Sequence, residues 1–509
     1  MVKKDKQTYP RPRKEMLRIM KSADKEGHIL ETIIEEFALH PFSMPALWDC
    51  REYFYRLDTN DCIKNPVLVT HLALISSMAG RLDQAKDYMK LIGETPQHWQ
   101  PQDMSQTDFY RIALEMVMPY TSDTMFLRIV FYLIKAQAVP VRALTLSACR
   151  PSIINGFRDF TRYGPYLVRH RDIITDTVQQ LYGSGGQSVY EILLAEWYYQ
   201  NNDCFNALVL VTGTIPLIEQ NKDMRCLFVA LALQMKILLV NGQTKMAKPL
   251  VEKIRERIHE TGWEELTSSL NALACLAACY DGRQEEVVQW LEHTAPDENK
   301  DIYMMDMYAY LVKIRCYLQM GKYMVAHVLV KQLITLLIPG KRHMDLCECY
   351  MLSAIIYYKA GEKGRMCEEL DKSLELARRY HYIRLLADEG SCMVQMLSIY
   401  QQERGADGFT DTIMDLAGEV GRHFPNYLKT PAEYYEPLTT MEKNVFRLMA
   451  QGMSNDEIAD RLGKKTGTVK FHSNNIFRKL QVQNRQQAVN RGRETVSYTH
   501  LTLPTNREV

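Results

Sequence analysis

The chain has 509 residues, is 46% apolar and carries a formal net charge of only +1. That length and apolar content exclude a disordered or fibrous protein and leave room for about three domains or one long repeat array. The near-zero charge conceals an asymmetry: Leu438 to Glu494 holds eleven Lys and Arg against five Asp and Glu, a local +6, so the rest of the chain carries −5.

In chain order, the basic N-terminus (MVKKDKQTYPRPRKEM) is followed by no apolar core and does not read as a secretory signal. Almost everything up to about residue 420 reads as helix. One pattern recurs there: a turn residue ends an apolar helix, and a small or apolar residue follows five positions on. The pairs are Gly80 with Ala85, Asn202 with Ala207, Gly242 with Ala247, Gly282 with Val287, Gly321 with Ala326 and Gly361 with Met366. The last five turn residues are spaced by 40, 40, 39 and 40. Such a period marks two-helix units that must stack to bury their apolar faces, forming a solenoid. The pattern resembles tetratricopeptide (TPR) repeats, although the usual period is about 34. Residues 96–190 are less regular, and their loop GSGGQS lacks the Lys-Ser or Lys-Thr of a phosphate cradle, so a plain connection is expected. Repeats resume from Tyr190 and fade by about residue 400. The apolar run LFVALALQMKILLV, broken by Gln234 and Lys236, is too short to span a membrane.

The twelve cysteines are scattered through apolar helical patterns, as at Ala274-Cys275 and Ala278-Cys279, which fits reduced thiols in a cytoplasm. His343, Cys347 and Cys349 come nearest to a metal cluster, but residues two apart on a helix point to different sides, so packing is expected and no metal or cofactor. Trp197, Tyr198, Tyr199, Tyr310 and Tyr357 are candidates for a sugar-binding groove, with core packing as the plainer reading.

HFPNYLKTPAEYYEP has three prolines in fifteen residues and reads as a linker over residues 421–437. From Leu438 the punctuation is explicit. Thr439 with Glu442 and Ser454 with Glu457 form two capping boxes, Met453 is placed to staple onto Ile458, and Asn455 to Leu462 makes a second helix of two turns that ends at Gly463. In the third helix Val469, Ser473, Ile476 and Leu480 recur at core spacing, which leaves Gly467, Lys470, Phe471, Asn474 and Arg478 on the other side. An aromatic between a lysine and an asparagine is wasteful on a solvated face. In a DNA major groove each has a use: Lys470 at guanine O6 and N7, Asn474 at an adenine edge, Phe471 at a thymine methyl. Two helices joined by a short glycine turn, the second cationic outward, read as a helix-turn-helix; a small bundle with a solvated basic face is the bland alternative.

Leu438-Thr439, Glu442, AQGMSNDEIADRL, TVKFH, NNIFRKL and NRQQAV together closely resemble the LuxR-type DNA-binding domain, over about 57 residues. LELARRYHYIRLLADEG, Leu374 to Gly390, looks like the end of the helical-repeat sensor in the MalT-like branch of that family. The resemblance implies an all-α chain: a TPR-like sensor over 1–420, a linker over 421–437, a four-helix reader over 438–494 and an unstructured or non-native tail over 495–509. It also implies a cytoplasmic transcription activator that binds double-stranded DNA as a homodimer through helix four, opened by Asn484 and Gln487, and that contacts RNA polymerase. It places Lys470, Phe471 and Asn474 at base edges and Thr466, Thr468, Arg478 and Lys479 near phosphates. For His472 a phosphate bond and a packed neutral ring are both open. Three departures stand out. Lys465 occupies the position where the family caps its recognition helix, which moves the expected cap to Thr466. No NTPase domain is visible, and Gly321-Lys322, Gly340-Lys341 and Gly463-Lys464 all lack the following Ser or Thr of a nucleotide loop. The tail TVSYTHLTLPTNREV has no helical period. No enzymatic constellation stands out, an unidentified small molecule or protein is expected as the inducer, and an interaction scaffold with a DNA-localising domain is the competing reading.

Overall fold

The computed structural model describes residues 11–38, 42, 44–91, 118, 122, 124, 127–128, 150–182, 185–430, 438–479, 482 and 484–489. Among them every regular element is a helix, apart from one isolated antiparallel bridge between Asn155 and Asp159. The all-α expectation holds, and the tail from residue 495 lies outside the described residues.

The repeat signal is a conformational one. Gly80, Asn202, Gly242, Gly282, Gly321 and Gly361 all have φ between 65° and 81°, a region that glycine and asparagine enter at little steric cost. The residue five positions on is buried in every case, at Ala85, Ala207, Ala247, Val287, Ala326 and Met366. Each turn thus reverses the chain, and the buried side chain seats the returning helix, closely where it is Ala85, Ala207, Ala247 or Ala326.

Five pairs run from Gly186 to Tyr380. Their first helices are Gly186–Gln200, Met224–Val240, Thr267–Asp281, Met307–Gln319 and His343–Lys359. Their second helices are Cys204–Asn221, Thr244–Thr261, Gln284–His293, Tyr323–Leu337 and Lys363–Tyr380. The first helix of a pair is enclosed by its own partner, by the neighbouring repeats and by the interior of the coil. Met307–Gln319 is accordingly buried at every position, Lys313, Arg315 and Gln319 included. The apolar run around Gln234 and Lys236 is such an inner helix, and no helix among the described residues is long and apolar enough to cross a membrane.

The array curls until distant repeats meet. The Tyr199 hydroxyl donates to Asp388 at 2.5 Å and Arg384 donates to Asn202 at 3.3 Å, closing a turn of about 190 residues. Residues 150–161 cross the interior of that turn as a strap. The backbone N–H groups of Ile153 and Ile154 donate to Glu196 at 2.9 and 3.0 Å, while Arg150 and Asn155 donate to Asp345 at 2.7 and 2.9 Å. Arg342 completes the knot through Asp345, Asn155 and the Phe157 carbonyl. The loop GSGGQS, described from Gly185 on, leads straight into the first inner helix. A Cβ on Gly186 would lie 2.3 Å from the Gln179 Cα, so that glycine serves a close helix approach.

The N-terminal helices Arg13–Glu26, Pro66–Met78 and Leu82–Leu91, with shorter ones between them, share a core that includes Tyr303 and Met305 of the repeats. At the other end the array extends beyond the expected limit. Ser391–Arg404 and Gly408–His423 continue it, and Phe424, Tyr427, Leu428 and Thr430 are buried. Tyr427 stacks on Tyr280 at 4.1 Å and donates to Glu389 at 3.1 Å. The first half of the expected linker 421–437 is therefore packed, because its aromatic residues find a pocket that its prolines do not forbid; residues 431–437 lie outside the described residues.

Candidate nucleic-acid interface

The C-terminal domain is built by its caps. Helices Thr440–Ala450 and Asn455–Leu462 each open on a complete capping box, Thr439 with Glu442 and Ser454 with Glu457, each N-cap side chain accepting the N3 backbone N–H while the N3 carboxylate accepts the N-cap N–H. Gly463, at φ 62°, closes the second helix in the left-handed region. The third helix, Thr466–Lys479, then crosses the first two. Val445, Met449, Ile458, Val469, Ile476, Ala488 and Val489 form the shared core, with Met453 packed at its edge.

Burial along the third helix divides as the pattern expects. Val469, Ser473 and Ile476 are buried, while Gly467, Thr468, Lys470, Phe471, Asn474 and Arg478 are exposed; Leu480 lies outside the described residues. Phe471 is 62% exposed. Lys470, Phe471 and Asn474 therefore lie side by side on one outward strip.

Three of the expected phosphate or border residues have other contacts. The Thr466 hydroxyl donates to Asp456 of the second helix at 2.7 Å, fastening the two helices together. The N-cap stays at Lys465, whose carbonyl accepts from Thr468 and Val469; the cap does not move to Thr466, and a cation thus stands at the helix N-terminus. The Lys479 ammonium is 2.8 Å from Glu442 Oε2, with both side chains largely buried. Burial pushes the Glu442 carboxyl up, but Lys479 and the Thr439 N–H together hold it below the usual carboxylate range. Lys479 is thus a strut between the first and third helices. His472 is half-buried, lies edge-on to Phe471 at 5.7 Å and has a buried Nδ1 without a hydrogen-bond partner. In the fourth helix, which spans 485–489, the Gln487 N–H donates to Asn484 at 2.9 Å, as its cap pattern requires.

In the repeat array, the expected metal candidates separate. The Cys347 thiol meets Ser373, His343 stacks on Tyr380, and Cys349 is buried elsewhere on the helix. Of the five aromatics proposed for a sugar groove, Tyr199 alone lines the interior cavity; Trp197 and Tyr310 are core, and Tyr198 and Tyr357 pack partly buried against it. That cavity, of about 110 Å³, is lined instead by charged groups of the inner helices, among them Glu196, Lys236, Arg315, Glu348 and Asp388. Sequence reasoning missed it because the lining residues come from five repeats and from the strap.

A capped three-helix core that turns a cationic, aromatic and amide-bearing strip outward, behind a helical-repeat array, has the form of a helix-turn-helix DNA-binding domain. Comparison with known proteins agrees: residues 436–491 match the family of bacterial regulatory proteins, luxR family, and residues 178–403 match the MalT-like TPR region. The C-terminal domain is thus similar to the luxR family, and the array before it is similar to the MalT-like TPR region. Its curated relatives include the HTH-type transcriptional regulator MalT of Yersinia pestis (strain Pestoides F) and of Yersinia pseudotuberculosis serotype O:1b (strain IP 31758), each 30% identical over 162 residues. The match spans 28% of this chain and 18% of the length of those relatives.

Proposed function

We propose that the chain reads double-stranded DNA sequence-specifically by laying the third helix of its C-terminal domain in the major groove. The observation that carries this reading is the outward strip of Lys470, Phe471 and Asn474 opposite the buried Val469, Ser473 and Ile476. An exposed phenylalanine costs solubility and contributes nothing to this core, whereas beside a thymine methyl it buries apolar surface. Thr468 and Arg478 take phosphates, joined by Lys465 at the helix N-terminus. His472 acts from the border, its imidazole placed between core and backbone. Two copies pair through helix four and read half-sites about one helical turn apart. The division of labour is a TPR-like sensor, a short linker and the reader, working in the cytoplasm, with contact to RNA polymerase as the output.

Control comes from the interior of the array. The charged cavity fits a small polar effector better than an apolar one, because Lys236 faces it without an ion pair among the described contacts and lies 5.7 Å from the Tyr308 ring centroid. Burial pulls the Lys236 ammonium down, and Glu196, Glu348 and Asp388 push it back up. An anionic group on the effector would reinforce that push. The competing reading, a scaffold whose basic domain only localises it, draws on the apolar outer residues Phe205, Val209, Met246 and Met324. Footprinting on the DNA upstream of the chain's own coding sequence separates the two. A regulator protects a defined, paired site, whereas a scaffold protects none.

A further inference from the structure

Cys275 and Cys279 lie one turn apart on the inner helix Thr267–Asp281, and Cys316 faces them from the next inner helix, Met307–Gln319. The Cys316 sulfur is 3.5 Å from that of Cys275 and 3.7 Å from that of Cys279, and all three lie within 4.8 Å of one another. We propose that Cys275, Cys279 and Cys316 form a three-sulfur site for a soft, low-coordinate cation of the Cu(I) kind. Three sulfurs bound to one ion at about 2.3 Å stand about 3.8–4.0 Å apart, so the two separations from Cys316 need to open by only a few tenths of an ångström, and that between Cys275 and Cys279, within 4.8 Å, needs to close by about an ångström at most.

The chemistry selects the ion. Thiolates favour soft cations, and these three are the one such group of His, Cys, Asp or Glu among the described residues, with no fourth ligand among them. Zinc in structural sites takes four, while Cu(I) is satisfied by three. All three side chains are buried, which excludes water as a further ligand and shields Cu(I) from oxidation. The guanidinium groups of Arg315 and Arg283 add positive potential at Cys279, offsetting the negative charge left by the thiolates. Each metal–sulfur bond formed from a thiol releases its proton to solvent, and no electron is transferred.

The site is placed to be felt elsewhere. Tyr280, next to Cys279, stacks on Tyr427 and donates to the Asp388 carbonyl at 2.7 Å. Arg315, next to Cys316, pairs with Glu389, the same carboxylate that Tyr427 reaches. An ion drawing the two inner helices together therefore acts on the segment that leads to the reader. Ion binding stands on the sulfur geometry alone; the consequence for DNA rests on the regulator reading and is measured apart.

Full-length reduced protein, titrated anaerobically with Cu(I) against a competing chelator, should retain one equivalent with ultraviolet sulfur-to-copper charge transfer, and Ag(I) should do the same. Cys316→Ala should weaken retention by more than about tenfold, a loss that even outer-shell changes at metal sites reach. Cys347→Ala, removing a buried thiol bonded to Ser373, should leave it unchanged. In case Cys316→Ala does not fold, Cu(I)-loaded wild type is alkylated during gradual unfolding and mapped by mass spectrometry, where Cys275, Cys279 and Cys316 should be modified last. Failure of the wild type to hold Cu(I), equal retention by a folded Cys316→Ala, stronger holding of Zn(II) than of Cu(I), or no selective protection of the three cysteines would each overturn the site. A copper effect on DNA binding is a separate readout whose absence would leave the site standing.

Discussion

At the scale of single residues, the third helix separates exposed side chains, to which we assign the reading of DNA, from those that hold the domain together. Lys470→Ala and Asn474→Ala should each weaken binding to the specific site by roughly 1–3 kcal/mol and relax preference at one base pair. Titration on specific and random DNA checks this; equal losses on both would remove the residue from base reading. Arg478→Ala should weaken all DNA alike and lower the salt slope by about one unit. Lys479→Ala should behave differently, although both cations adjoin in sequence. Its ammonium supports the buried Glu442, so its loss should destabilise the domain by about 1–3 kcal/mol and leave the salt slope unchanged. Urea melts beside salt titrations distinguish the two.

At the scale of elements, the reader depends on its ends. The second helix has only eight residues, too few to stand without its cap and its packing. Ser454→Ala and Thr439→Ala should each cost about 1 kcal/mol. Gly463→Ala should cost a further 1–2 kcal/mol or so, because its backbone is left-handed at φ 62°. Chemical denaturation of the full chain, followed by a probe in the C-terminal domain, measures each. The Glu442 contribution is fully present above the pKa of an unfolded glutamate, about 4.3, and is lost as the pH falls through its lower folded value.

At the scale of the whole molecule, the strap fixes the curl. Asp345 is fully buried; burial pushes its carboxyl up, yet Arg150 and Arg342 hold it below the ordinary aspartate value. Asp345→Asn should therefore destabilise the array sharply by leaving two buried guanidinium groups short of charge, an effect of about 3–5 kcal/mol readable by thermal melting. Asp306 goes the other way: burial raises it to about 6, against hydrogen bonding from Ser268. Between roughly pH 4 and 6 the folded chain holds a proton that the unfolded chain has released, so this group makes stability fall as pH rises through that window. Asp306→Asn should remove that slope and raise stability at pH 7.5; denaturation series at three pH values would show it, and an unchanged slope would sink the assignment.

What the sequence determined by itself was whatever is local. The two capping boxes, the glycine stop after Leu462, the positive-φ turns and the burial pattern of the third helix follow from residues within a few positions of one another, so they were legible along with the family they resemble. The outward strip of Lys470, Phe471 and Asn474 was legible for the same reason, since helical spacing alone sets the face. Tertiary structure decided the rest. Lys479 reads as a phosphate contact until Glu442, 37 positions back, takes its charge. Residues 421–430 read as linker until Tyr280 and Glu389 receive Tyr427. The strap, the charged cavity and the sulfur trio each join residues from different repeats, brought together by the curl of the array. That curl sums small rotations between stacked helices, and no short stretch of sequence encodes the sum.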